Sequence, residues 1–110
     1  MTNDKDKVIV EELKGKVNEE IQPFLRRIIV FGSRVRGDCQ EDSDLDIIVL
    51  VNKKTPEIEK IVEDIAYQVM WNNDFKPVIS MKVFEENKFY AAAQKGFSFY
   101  RHVVAEGLTV

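Results

Sequence analysis

The sequence predicts an α/β fold, a small mixed sheet of about three to four strands with helices packed on it. Three observations predict it. Strand-like apolar runs alternate with helical stripes along the chain. One of those runs, Leu45 to Val51, is almost continuously apolar, as a central strand covered on both faces must be. With 45% hydrophobic residues against 32% charged, the 110 residues carry enough apolar material to close a core without disulfides or structural metal. Only 3 Pro and 5 Gly are present, with no repeat or low-complexity tract to mark a linker, so residues 1–110 read as one domain.

The elements follow in order. Val8 to Ile21 reads as a helix with Val8, Leu13 and Val17 near one face and Glu11, Glu12, Lys14 and Lys16 largely on the other; Pro23 lies just past its end. Arg27 to Phe31 is a β-branched and aromatic run that reads as a buried strand, stopped by Gly32-Ser33. Leu45 to Val51 is the second strand. Thr55-Pro56 is a helix start, Thr55 capping and Pro56 occupying the first helical position, where its missing N–H costs nothing. Ile58, Ile61, Val62, Ile65 and Val69 continue it as an amphipathic stripe until Asn72-Asn73-Asp74. A third strand is expected over Pro77 to Val83. Glu85 to Ala105 reads as two short helices parted near Gly96, with Gly107 as the stop.

Composition excludes several classes. A single Cys39 cannot close an internal disulfide, and one Cys with one His cannot build a zinc site. No run approaches the roughly 18 apolar residues of a membrane span, and the first residues lack the apolar stretch of a signal peptide, so a cytoplasmic protein is expected. A net charge of −3 argues against non-specific binding to nucleic acid or anionic lipid.

One segment differs from the rest, Phe31 to Asp46, which begins where a buried strand ends and closes where the next begins. Gly32 has no Cβ and lets backbone approach a ligand closely. Ser33 can cap a short helix running to Gly37, whose orphan N–H groups would suit phosphate, and Arg34 and Arg36 add positive charge nearby. Asp44 and Asp46 are two apart, so on a strand they share a face about 6.6 Å from one another along the chain. Two carboxylates aimed at one space repel, by about 4 kcal/mol for charges about 4 Å apart at an effective dielectric near about 20, and a divalent cation between them reverses the sign. Mg²⁺ suits the pair, since it takes one or two carboxylates and completes its shell with water and phosphates. A phosphate cradle joined to paired carboxylates describes metal-assisted phosphoryl or nucleotidyl transfer.

Gly32-Ser33, ten intervening residues (34 to 43) and then Asp44-x-Asp46 resemble the signature of the DNA polymerase beta-like nucleotidyltransferase superfamily. Gly-Ser-Arg-x-Arg-Gly followed by Ser-Asp-x-Asp is similar to its minimal nucleotidyltransferase branch, which includes the antitoxin partners of HEPN-domain toxins; Tyr100-Arg101 and Glu106-Gly107 agree more loosely. The resemblance implies the polymerase beta-like nucleotidyltransferase fold, ATP or another nucleoside triphosphate as substrate, and a two-metal Mg²⁺ site. Gly32 and Ser33 would hold the β- and γ-phosphates, Arg36 would contact phosphate with Arg34 a weaker candidate, and Asp44 and Asp46 would be catalytic metal ligands. The acceptor would be a hydroxyl on another chain, a HEPN-type protein being the partner implied, with homo-oligomer formation left open.

In one respect the sequence departs from that family. A third carboxylate belongs on the following long strand, yet Pro77 to Val83 has no acid; Ser80 is its polar position facing the site, with Asp74 before it and Glu85 and Glu86 after. The alternative reading is therefore a degenerate nucleotide- or partner-binding module that neutralises a toxin by contact.

Other candidates read as bland. Asp44-Leu45-Asp46 fits neither a haloacid-dehalogenase layout, where the apolar strand precedes the acids, nor a receiver domain, for which Lys82 is a poor partner. His102 reads as a surface or half-buried structural residue, and Cys39 has no basic neighbour in sequence to activate it. Tyr67 and Trp71 read as packing residues. The cluster Phe89, Tyr90, Phe97, Phe99 and Tyr100 is richer than a small core needs and reads as core or as a partner surface.

Overall fold

The computed structural model describes residues 4–37 and 43–110. Cys39 and the rest of the 38–42 stretch lie outside the described residues. The chain runs α1 (Asp4–Ile21), β1 (Leu25–Phe31), α2 (Ser33–Arg36), β2 (Leu45–Val51), α3 (Pro56–Asn72), β3 (Ile79–Glu85), α4 (Glu86–Gln94), α5 (Ser98–Glu106) and β4 (Leu108–Thr109). The four strands form a mixed sheet in the order β3-β2-β1-β4, with β1 antiparallel to β2 and β4, and β2 parallel to β3. The α/β class and the mixed sheet flanked by helices stand as expected from the sequence.

Alternation along the strands sorts side chains to two faces. Ile28, Val30, Ile47, Val49, Ile79 and Val83 face α1 and α3, meeting Ile9, Leu13 and Val17 from the first helix and Ile58, Val62 and Val69 from the second. Ile29, Ile48 and Leu50 face α4 and α5, under Phe89 and Val103. Covered on both sides, β2 is apolar at every position but Asp46, and Val49, Leu50 and Val51 are fully buried. Each such aliphatic side chain contributes roughly 1.5–3 kcal/mol by leaving water. Thr55 caps α3 as its sequence predicts, its Oγ1 accepting from the N–H of Ile58 at 3.2 Å.

Four boundaries differ from expectation. The first helix extends back to Asp4, because Asp6 and Ile9 are buried and belong to its packed face. β1 begins at Leu25, which pairs with Val51. β3 covers Ile79–Glu85 rather than Pro77 to Val83: Pro77 has no N–H to give to a ladder, and pairing with β2 runs on to Val51↔Glu85. Gly107 is followed by the short strand β4, which pairs Leu108 with Val30 and Thr109 with Ile29. The glycine is needed there for closeness, since a Cβ would lie 2.5 Å from Ile29 Cγ2 and from the Val103 carbonyl.

Candidate active site

The turn after β1 is set by Gly32, at φ 91° and ψ −165°, a conformation that side chains rarely adopt. From it springs the one-turn helix α2, with the N–H groups of Val35 and Arg36 bonded to the Gly32 carbonyl and Gly37 closing the turn in the left-handed conformation. The cap position is Gly32 and carries no side-chain hydrogen bond, so Ser33 is the first helical residue rather than the cap read from the sequence. Gly32 also faces the carboxylate pair: a Cβ built on it would lie 2.8 Å from Asp46 Oδ2. Backbone at the head of α2 and a carboxylate of β2 thus border one small space.

Asp46 owes its place to the register. It pairs with Phe31 of β1 on one side and with Ser80 of β3 on the other, half-buried on the α4–α5 face of the sheet. Burial pushes its carboxyl above the ordinary range, the charge of Asp44 adds to the rise, and Lys82 opposes it. Asp44 is exposed just ahead of β2, two residues before Asp46 in the chain. A raised carboxyl beside a second acid is a donor pair whose repulsion a divalent cation would relieve, so these residues fit Mg²⁺. Among the described residues no group of three or more His, Cys, Asp or Glu side chains could hold a metal ion, so they offer no third carboxylate for a two-metal site.

The acids near β3 explain why. Ser80 stands beside Asp46 as the spacing predicts. Asp74 lies in the turn that closes α3, its N–H on the Trp71 carbonyl, and the strand begins later than expected rather than earlier, which moves Asp74 away from its pairing with β2. Glu85 ends β3 opposite Val51 and pairs with Lys88, at the far end of the strand from Ser80.

The two arginines part company. Arg34 points inward, 5% exposed, and its guanidinium donates to both carboxylate oxygens of buried Asp6, at 3.0 and 2.9 Å, and to the carbonyl of Ser43 at 2.8 Å. It ties α1 to α2 and to the residue before Asp44, which corrects its reading as a phosphate contact. Arg36 is half-exposed and pairs with Glu106 of α5 at 3.7 Å. Beside them a cavity of about 300 Å³ opens between the end of β1, α2 and α5, lined by Phe31, Gly32, Arg36, Phe99, His102 and Glu106 among others. His102 is therefore a neighbour of the glycine turn, a placement that its position in the sequence does not signal.

The aromatic residues divide. Phe89 is core, with Tyr90 and Tyr100 packed against it, whereas Phe97 is exposed. Tyr67 and Trp71 are exposed on α3, where they meet each other and Phe75 edge to face, on the layer opposite Asp46. Among the described residues no helix is long and apolar enough to cross a membrane.

Comparison with known proteins agrees with this geometry. Residues 10–103 match the family described as nucleotidyltransferase domain. A putative protein adenylyltransferase of Methanocaldococcus jannaschii is 35% identical over 78 residues, which cover 67% of this chain and 78% of that one. The fold is similar to a chain in a crystal structure of a toxin-antitoxin with AMP-PNP, with a TM-score of 0.59 and 21% identity over 90% of this chain and 70% of that chain. With most of its length matched, the chain belongs to the nucleotidyltransferase domain family and is a nucleotidyltransferase.

Proposed function

We propose that the protein transfers AMP from ATP to a hydroxyl of a partner protein in a Mg²⁺-dependent reaction, and that it acts as an antitoxin on a HEPN-type partner. The observation that carries the reading is the 2.8 Å approach between the side-chain position of Gly32 and Asp46 Oδ2, which puts a side-chain-free turn against a carboxylate. The relative described as a protein adenylyltransferase supports protein as the acceptor class, and the toxin-antitoxin neighbour with AMP-PNP supports the context and the nucleotide.

In this reading Gly32 and Ser33 hold the β- and γ-phosphates, Gly32 by leaving its backbone uncovered. Asp44 and Asp46 hold Mg²⁺, which when bound supplies positive charge against the phosphate oxygens. Arg36 contacts phosphate from the rim of the cavity, beside Glu106. The acceptor oxygen bonds to the α-phosphorus while the bond from that phosphorus to the oxygen bridging the β-phosphate breaks. Pyrophosphate leaves with the electron pair, and the hydroxyl proton passes to solvent because Ser80 stands where a carboxylate would take it. Absence of that base slows the reaction by about 10²–10⁴-fold without abolishing it. The test is transfer of labelled AMP to the partner protein with and without Mg²⁺. Slow, metal-dependent labelling that disappears in Asp44→Asn and Asp46→Asn supports the proposal. Binding of the partner with no transfer favours the contact-only module.

A further inference from the structure

We propose that Lys82, two residues beyond Ser80 on β3, holds the α-phosphate of the nucleotide. The inference rests on the nucleotidyl-transfer reading above and adds a contact on the opposite side of Asp46 from the glycine turn.

The register builds the argument. Phe31, Asp46 and Ser80 are neighbours on β1, β2 and β3, so Gly32, Asp46 and Ser80 form a row across one end of the sheet. Lys82 follows Ser80 by two residues and so shares its face. Its side chain could have run outward from β3, the edge strand of the sheet. Instead its ammonium stands 5.5 Å from the centre of the Phe99 ring, and Phe99 meets Phe31 edge to face at 5.8 Å. Phe31 is the cross-strand neighbour of Asp46. The ammonium therefore lies against a ring that also borders the cavity beside Gly32, on the face of the sheet that carries Asp46.

A phosphate chain whose β and γ groups lie at Gly32 and Ser33, and which passes Asp46, brings its α-phosphate under this ammonium. Lysine suits the position: it is a compact charge with three donors on a long stem, and hydrogen bonds from it to phosphate oxygens are charge-assisted. Ser80 is too short to do the same work.

Calorimetry on the full chain with Mg²⁺ tests this, using ATP and inorganic pyrophosphate as probes. A charge-assisted contact predicts that Lys82→Met weakens ATP binding roughly 10- to 100-fold. Pyrophosphate, held at the glycine turn, should bind nearly as before, and Lys82→Arg should recover most of the loss for ATP. Unchanged ATP affinity in Lys82→Met, with wild type binding ATP, would overturn the assignment and leave the nucleotidyl-transfer reading standing. An equal loss for ATP and pyrophosphate would also overturn it, since Lys82 would then act as a general charge. A wild-type protein that binds neither probe would remove the reading itself and the inference with it.

Discussion

At Gly32 two constraints coincide, a positive φ and a side-chain position 2.8 Å from Asp46 Oδ2. Gly32→Ala is expected to cost roughly 1–3 kcal/mol, because a positive φ with extended ψ is a backbone region left almost wholly to glycine. The atom it meets is the tip of a side chain, so the carboxylate moves rather than the fold, and nucleotide binding should fall more than the melting point does. Asp46 itself titrates with a definite sign. Its folded carboxyl binds a proton more tightly than the unfolded one, whose ordinary value is 3.8, so the stability it adds is full below that value and is lost as pH rises through the folded pKa. In chelator-treated protein Asp46→Asn should melt above wild type at neutral pH, and the gain should vanish in acid; a gain that grows in acid would contradict the burial argument. Asp6 serves the packing of the fold. Its pair with Arg34 is buried on both sides, and Asp6→Ala leaves a guanidinium without its main counter-charge, at a cost of about 3–5 kcal/mol in denaturant unfolding. From the sequence Arg34 looked like a phosphate contact because the partner that buries it lies 28 residues away.

Among the elements, β2 and α3 were legible for local reasons. A run with a single polar residue has to be a covered strand, and Thr55-Pro56 is a chemical start signal whose hydrogen bond is present. β4 was not legible, since two residues carry no period and its pairing depends on the close approach that Gly107 permits. The site was half legible. The spacing of Gly32-Ser33 and Asp44-x-Asp46 is a property of the chain, whereas His102 and Lys82 enter the site region only through the packing of α5 and the lean of one side chain. β3 carries the prediction of this scale. Ser80 is in register with Asp46, so Ser80→Asp sets a third carboxylate beside the pair. Without metal it should lower the melting point by adding like charge, and with Mg²⁺ it should speed AMP transfer. Asp74→Asn, in the turn of α3, should leave the rate unchanged. A faster wild-type-like rate lost in Asp74→Asn would assign the base to that turn instead.

Across the whole molecule the two sheet faces are used differently. α1 and α3 cover one face with the larger apolar cluster, while α4 and α5 cover the other under Phe89 and Val103, with Asp46 half-buried and Asp44 exposed at the end of β2. Asp44 is thus open to solvent, as the proposed transfer to a hydroxyl of a partner requires. This arrangement separates two ways of silencing a toxin. If modification silences it, the Asp44→Asn, Asp46→Asn double variant keeps its surface and its fold, so it should bind the partner as tightly as wild type yet fail to rescue growth when the two are co-expressed. If contact silences it, the same variant should rescue growth as well as wild type, because nothing at the interface has changed. Growth rescue measured beside partner affinity distinguishes the two. The first outcome is expected. Burial and the charge of Asp44 raise the ionisation cost of Asp46, and a surface needed for contact alone gains nothing from that arrangement.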